Sequence, residues 1–261
     1  MKTIRQPAVA GSFYPDNPNV LSAMLAGYLE QVAPSAKVPK AIIVPHAGYI
    51  YSGACAAQAY ARLAAQHATI KRVVLLGPSH HVGFTGLALS SADAFNMPLG
   101  DIPLDKDSIT SLLQFPFVQY LDQAHALEHS LEVQLPFLQM MLDDFSLIPI
   151  VAGDCPAEQI EQVLELFYNQ PDTLIVISSD LSHFHDYATA QRLDQATSEK
   201  IENLDYQHLD FDSACGRVPV SGLLALAKKK SLQIKTIDLR NSGDTAGDKS
   251  RVVGYGAYVI D

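Results

Sequence analysis

The sequence of 261 residues contains no tryptophan, only three cysteines and few charged side chains, which make up 18% of it. The cysteines Cys55, Cys155 and Cys215 are far apart and form no CxxC pair. This pattern excludes a disulfide scaffold and a cysteine-rich zinc site, and it is typical of a reducing compartment. Cys215 precedes Gly216 and Arg217, and we expect it to be a buried structural cysteine rather than a reactive thiol.

Long hydrophobic runs and basic clusters are also absent. No apolar run approaches the roughly 18–20 residues that a membrane span requires, and residues 1–15 contain no apolar segment of a secretory signal. The net charge of −10, without a basic cluster, argues against nucleic acid as the main partner. We therefore expect a globular, cytoplasmic protein that binds neither membranes nor nucleic acid.

Common catalytic and nucleotide-binding motifs are missing from the chain. The sequence contains no GxSxG, no GxxxxGKS/T, no GxGxxG and no HExxH. These absences set aside a serine-hydrolase elbow, a phosphate loop, a dinucleotide fingerprint and a helix-borne zinc site.

What the sequence does contain is a regular alternation of short apolar runs and helix-like segments. The predicted buried strands include residues 40–46, 72–77 and 173–178, and the predicted helices include 128–142 and 221–229. Continuous apolar strands that alternate with helices are typical of a sheet covered on both faces. No repeat or linker divides the chain. We therefore predict a single α/β domain over residues 1–261, with a central, mostly parallel or mixed sheet covered by helices on both faces.

Polar segments with histidine lie at the ends of three of the predicted strands. His46 ends the first strand, His80 and His81 follow the second, and His183 follows the third. Because the carboxyl ends of neighbouring parallel strands lie about 4.8 Å apart at one edge of a sheet, we expect these side chains to converge. Imidazole binds iron, zinc and copper and is the usual general base near neutral pH, so the pattern predicts a metal site beside an acid/base residue. The histidines without this context, which we expect at the surface, are His67, His125 and His208.

A metal held by two histidines commonly takes a carboxylate as its third ligand. The candidates in polar segments are Asp180, Glu128, Glu132, Asp244 and Asp248. Asp244 lies in a polar loop after a predicted strand, although the same composition is typical of an ordinary turn. Glu128 and Glu132 begin a predicted helix, where carboxylates also favour the helix dipole. The residue pattern alone does not choose among these carboxylates.

Motifs along nearly the whole chain resemble those of the Memo family, also called AmmeMemoRadiSam system protein B. They are, in order, AGSFYP at 10–15, PHAGY at 45–49, GPSHH at 77–81, EHSLE at 128–132, SSDLSH at 178–183 and CGRVP at 215–219. The resemblance implies the fold of the class III extradiol dioxygenases, non-haem iron enzymes that open catechol rings. It also implies a radical-SAM system partner, and it leaves a small molecule or a peptide as the substrate.

The same resemblance implies roles for individual residues. His46 and His80 correspond to the two histidine ligands of the dioxygenases, and His183 corresponds to their catalytic acid/base. We expect His81 and Asp180 to orient the imidazoles or to face the substrate in catalysis.

The third ligand distinguishes the family from the dioxygenases. It is a cysteine in animal Memo proteins and a glutamate in the dioxygenases, and our alignment of the final loop places Asp244 there, with Asp248 in reserve. Two histidines and a carboxylate suit Fe(II) best, with copper or zinc as alternatives. The resemblance therefore implies a non-haem iron, dioxygenase-like oxidoreductase. Two other interpretations stay open: a non-catalytic binding or adaptor protein that retains the pocket, and a metal-dependent hydrolase with zinc at the same ligands.

Overall fold

The computed structural model describes residues 2–35 and 37–260. A mixed sheet of nine strands forms its centre, and a separate sheet contains three short strands, Ile4–Arg5, Ala94–Phe95 and Ile102–Pro103. The strands are β1 (Ile4–Arg5), β2 (Ala41–Val44), β3 (Arg72–Pro78), β4 (Leu87–Leu89), β5 (Ala94–Phe95), β6 (Ile102–Pro103), β7 (Val118–Tyr120), β8 (Ser146–Ala152), β9 (Thr173–Ser178), β10 (His183–His185), β11 (Ile234–Asn241) and β12 (Val252–Ile260). The α-helices are α1 (Pro18–Leu29), α2 (Tyr49–Tyr60), α3 (Lys106–Leu112), α4 (Asp122–Ala126), α5 (Leu135–Met141), α6 (Ala157–Tyr168), α7 (Tyr187–Glu202) and α8 (Arg217–Lys229).

Adjacent parallel strands, in the order β2, β9, β3 and β8, carry the residues of the functional site. Almost all of their residues are buried, which is typical of parallel strands in a covered sheet. The ladder pairs Val44 with Ser178 and Leu76 with Ile177, so the carboxyl ends of β2, β9 and β3 lie side by side. Antiparallel β12 beside β2 and antiparallel β4 beside β8 make the sheet mixed. The predicted α/β fold is confirmed.

Helices flank this sheet. Helices α6 and α8 pack against each other and against β9, whereas α2 packs against β2, β11 and β12. The buried residues of α6 recur three or four positions apart and are Ile160, Val163, Leu164 and Phe167. Gly222 permits the close approach of α8, because a Cβ there would lie 2.3 Å from Cγ2 of Ile160. In the part of the chain that the structure describes, no helix combines the length and the apolar character that crossing a membrane requires.

Two predicted helices have different limits in the structure. The prediction over 128–142 is wrong in its first part, because residues 128–131 are not helical and Glu132–Gln134 is a 3-10 helix. Helix α5 then begins at Leu135, with Pro136 in its first turn, where the missing N–H of proline costs no hydrogen bond. The helix predicted over 221–229 already begins at Arg217. Both differences matter for the site, since residues 128–131 and the start of α8 lie beside it.

One buried carboxylate fastens the N-terminal segment to the segment before α5. Glu132 is fully buried and accepts hydrogen bonds from three groups of the N-terminal segment. The donors are the backbone N–H of Ala8 at 2.7 Å, that of Val9 at 3.0 Å and the hydroxyl of Tyr14 at 2.6 Å. The guanidinium of Arg5 pairs with the same carboxylate. Glu132 thereby joins the AGSFYP and EHSLE motifs, which are far apart in the sequence.

Candidate metal centre

The hydrogen bonds of His46, just after β2, determine which of its ring nitrogens is free. Its Nδ1 lies 2.9 Å from Oγ of Ser178, the last residue of β9. That hydroxyl donates to the carbonyl oxygen of Ser130 and accepts from Nε2 of Gln134. Because the only hydroxyl proton is already used, His46 must donate from Nδ1, which leaves a lone pair on Nε2. This Nε2 lies 3.3 Å from Sγ of Cys215.

His80 follows β3 and is oriented by Glu128. The Nδ1 of His80 donates to Oε1 of Glu128 at 2.8 Å, and its backbone N–H donates to Oε2 at 2.6 Å. The backbone N–H of Ser130 also donates to Oε1, at 2.9 Å. Burial opposes the ionisation of Glu128, but the hydrogen bonds and the charge of His80 outweigh it and lower the pKa of Glu128 to about 2. An ionised Glu128 keeps the proton on Nδ1, so Nε2 is the nitrogen through which His80 binds a metal, with loss of the Nε2 proton when the ring is charged.

Cys215 completes a group that could hold a metal ion. One ligand atom from each of His46, His80 and Cys215 lies within 4.8 Å of the other two. The backbone N–H of Asp180 donates to Sγ at 3.3 Å, and a Cβ at Gly216 would lie 2.6 Å from the backbone of β9, so the glycine allows this close approach. Burial, followed by the charge of Asp180, raises the pKa of the Cys215 thiol. A metal must therefore displace the thiol proton when it binds.

His129 is a further imidazole at the centre, and the sequence analysis did not single it out. Its ring stacks on that of His80, with centroids 4.6 Å apart, and its edge meets His46 with centroids 5.5 Å apart. Burial and then His46 lower the pKa of His129 to about 4, while burial and then His80 lower the pKa of His46 to about 3. Both rings are neutral near pH 7, the form that binds metals. With His80 and Glu128, His129 forms a second group whose ligand atoms lie within 4.8 Å of one another.

The structure brings Asp180 and His183 to this centre and leaves His81 at its edge. Oδ1 of Asp180 accepts from the backbone N–H of His46 at 2.7 Å, and Oδ2 lies 3.9 Å from Nε2 of His46. Burial raises the pKa of Asp180, although the hydrogen bond from His46 opposes the rise. His183 is half-buried in β10 and lines two cavities that adjoin the centre. His81 is exposed, and its ring centroid lies 6.4 Å from that of His129.

Among the described residues, Asp244 belongs to neither group whose ligand atoms lie close enough together to hold a metal ion. Oδ2 of Asp244 accepts from the backbone N–H of Asn241 at 2.9 Å, and Oδ1 accepts from the hydroxyl of Tyr187 at 2.5 Å. With Asn241 it forms a capping box around a short 3-10 turn after β11. Asp244 therefore closes a turn, which the composition of the loop also allowed, and its position gives no support to its assignment as the third ligand.

Asp248, the reserve candidate, is exposed, and its carboxylate accepts from the backbone N–H of Ser250 at 2.5 Å. It lines a cavity that His129 and His183 also line. Two other expectations differ from the observed positions. Cys215, which the sequence predicts to be structural, instead lies with Sγ close to the ligand nitrogens of His46 and His80. His125 is buried rather than at the surface, with Nε2 3.0 Å from the carbonyl oxygen of Ala88. The other two histidines expected at the surface, His67 and His208, are exposed.

Comparisons with known proteins agree along nearly the whole chain. A family model described as Memo-like protein matches residues 5–259. A protein of Aquifex aeolicus named MEMO1 family protein is 38% identical over 267 residues, which cover 97% of each chain. Proteins of the same name from Metallosphaera sedula and Sulfurisphaera tokodaii are 34% and 36% identical, and the matches cover 96% and 97% of this chain and 97% of each relative.

Proposed function

The chain belongs to the Memo family, and we propose that it is a metal-dependent oxidoreductase that binds a redox-active transition metal through His46, His80 and Cys215. The main support is the mutual distance of their ligand atoms, which is at most 4.8 Å. Two imidazole nitrogens and one thiolate sulfur suit copper, iron and zinc. A carboxylate as the third ligand predicts Fe(II). A thiolate sulfur as the third ligand suits copper as well as iron.

The surroundings of the three residues also fit a metal. Both imidazoles are held through Nδ1, by Ser178 and by Glu128, so that Nε2 is available on each. A bound iron or copper supplies the redox chemistry that protein side chains lack. The cytoplasmic location expected from the sequence agrees with this centre, because a reducing compartment keeps Cys215 as a thiol.

We assign to His183 the role of the acid/base that moves protons during the reaction. It lines a cavity together with His80 and Cys215, but among the described residues it belongs to neither group of candidate ligands. The variant His183→Ala should keep the metal content of the wild type and lose about a hundred- to ten-thousandfold in kcat, the usual contribution of general acid–base catalysis. Elemental analysis and turnover measure the two effects. A variant that loses its metal would show that His183 is a ligand.

Metal analysis of anaerobically purified protein tests the proposed function. We expect about one iron or copper per chain, absent from His46→Ala and His80→Ala and retained in His67→Ala, which changes an exposed histidine. Oxygen uptake with catechol as the first substrate then tests oxidation. Zinc as the bound metal, together with hydrolysis, would favour the hydrolase instead. Wild-type protein that takes up no metal after reconstitution would contradict both the oxidoreductase and the metal-dependent hydrolase. It would favour the non-catalytic binding or adaptor protein.

A further inference from the structure

A cavity of about 960 Å³ adjoins the candidate metal centre. His80, Cys215 and His183 line it, and so do Arg217 and Phe211. Further apolar side chains of the lining are Val82, Phe84 and Val218. Its volume lies within the range of small-molecule sites, and its lining combines one guanidinium with apolar surface beside the centre.

One buried N–H of the Arg217 guanidinium lacks a hydrogen-bond acceptor among the described residues. This N–H is that of Nε. The guanidinium lies over the ring of Phe211, 4.5 Å from the centroid, a contact that supplies no hydrogen-bond acceptor for Nε. Asp154 and Asp212 line the same cavity, but both are exposed, and neither accepts a hydrogen bond from Nε of Arg217 in the part of the chain described. A buried donor without a partner is costly, so a ligand is the natural source of the acceptor.

We propose that Arg217 binds an oxyanion, a carboxylate or a phosphate, on a substrate whose apolar body occupies the cavity beside Cys215. The guanidinium offers a planar pair of donors that matches either oxyanion. Arg217 also begins α8, and its N-cap residue, Gly216, has no side chain to offset the positive end of the helix dipole. Phe211 is 81% exposed and offers its ring to the apolar body.

Arg217, which we call the oxyanion anchor, lies close in the chain to Cys215 of the candidate metal centre. Arg217 follows Cys215 by two residues, so their Cα atoms are at most about 7 Å apart. Both residues also line the same cavity, so a small molecule held at Arg217 occupies the cavity that Cys215 lines. Naming the occupant as substrate rests on the proposed function, whereas the contact between Arg217 and an oxyanion requires no metal.

Binding of matched probes tests the anchor without turnover. Benzoate, phenyl phosphate and the neutral benzamide are titrated by ligand-observed NMR against the full chain, both metal-free and metal-loaded. We expect at least one of the two oxyanions to bind about tenfold or more tightly than benzamide in both forms. The stronger of the two identifies the substrate oxyanion. Equal or absent binding of all three probes would overturn the proposal.

Variants test whether Arg217 causes the preference for an oxyanion probe over benzamide. Arg217→Gln should remove this preference. Arg217→Lys should retain part of it, since lysine keeps the charge and loses the planar donor pair. The matched control is Arg251→Gln, because Arg251 also lies over an exposed phenylalanine, Phe184, at 5.0 Å, but lines a different cavity. Melting temperatures verify that each variant is folded.

The outcomes distinguish a failure of the oxyanion anchor from a failure of the proposed metal-dependent function. A preference that survives in Arg217→Gln, or that disappears in Arg251→Gln, would overturn the anchor. If Arg217→Gln does not fold, a full preference in Arg217→Lys would overturn the bidentate contact. A preference in a protein that never binds metal would support the anchor and contradict the oxidoreductase. A metal-loaded protein without any preference would contradict the anchor alone.

Discussion

Cys215→Ser is expected to lower the metal affinity of the protein by more than about a hundredfold. Losing a group that only orients a metal ligand costs about ten- to hundredfold, and Cys215 offers a ligand atom itself. Serine keeps the approximate size of the side chain but replaces the soft sulfur with a hydroxyl that holds its proton far more firmly. Asp244→Asn should leave the affinity unchanged, because one oxygen of Asp244 accepts within the turn after β11 and the other accepts from Tyr187 of α7.

Two measurements compare these variants. Competition with a chelator gives the dissociation constant of the metal for each protein. A thiolate-to-metal charge-transfer band in the copper- or cobalt-loaded wild type should disappear in Cys215→Ser and persist in Asp244→Asn. The opposite result, with metal lost from Asp244→Asn and kept by Cys215→Ser, would restore the carboxylate site that the sequence predicted.

The buried strands and the meeting of their ends could be predicted from the sequence. Short apolar runs become β2, β3 and β9 because such strands are buried on both faces and need no polar alternation. Their parallel pairing then brings the residues that follow them to one edge. His46 and His80 accordingly lie with ring centroids 5.2 Å apart.

The position of Cys215 beside His46 and His80 could not be predicted from local sequence pattern. Cys215 reaches the centre through contacts with Asp180, which lies 35 residues earlier, and through the close approach that Gly216 permits. No periodicity reports such a contact. The family resemblance did contain a signal, since CGRVP carries a cysteine and animal Memo proteins hold one at the third position. The polar loop of Asp244 offers a second candidate, because turns and metal sites share the same residue types.

The EHSLE motif was ambiguous for a similar reason. Carboxylates at an expected helix start are explained equally well by capping and by a site. In the structure Glu128 orients His80, His129 stacks on His80, and Glu132 binds the N-terminal segment. Each role depends on a partner distant in the sequence, which a single chain read by pattern does not reveal.

Glu132→Ala is expected to destabilise the fold by about 3–5 kcal/mol, the cost of removing one partner from a buried ion pair. The substitution leaves the charge of Arg5 buried and unpaired, and the N–H groups of Ala8 and Val9 lose their acceptor, as does the hydroxyl of Tyr14. For a chain of this size each kcal/mol corresponds to about 2–4 °C, so Tm should fall by about 10 °C. Thermal unfolding of the metal-free protein, followed by circular dichroism, measures the change.

A control and a conservative variant separate the contribution of the ion pair from that of the neutral hydrogen-bond donors. Glu165→Ala removes an exposed carboxylate that pairs with Lys229 and Lys230, and Tm should not change. Glu132→Gln keeps one carbonyl oxygen as an acceptor but loses the charge opposite Arg5. A loss of Tm close to that of Glu132→Ala would attribute the stability mainly to the ion pair, and a much smaller loss would attribute it to the neutral donors. An unchanged Tm in Glu132→Ala would mean that the N-terminal segment is held by its apolar contacts instead.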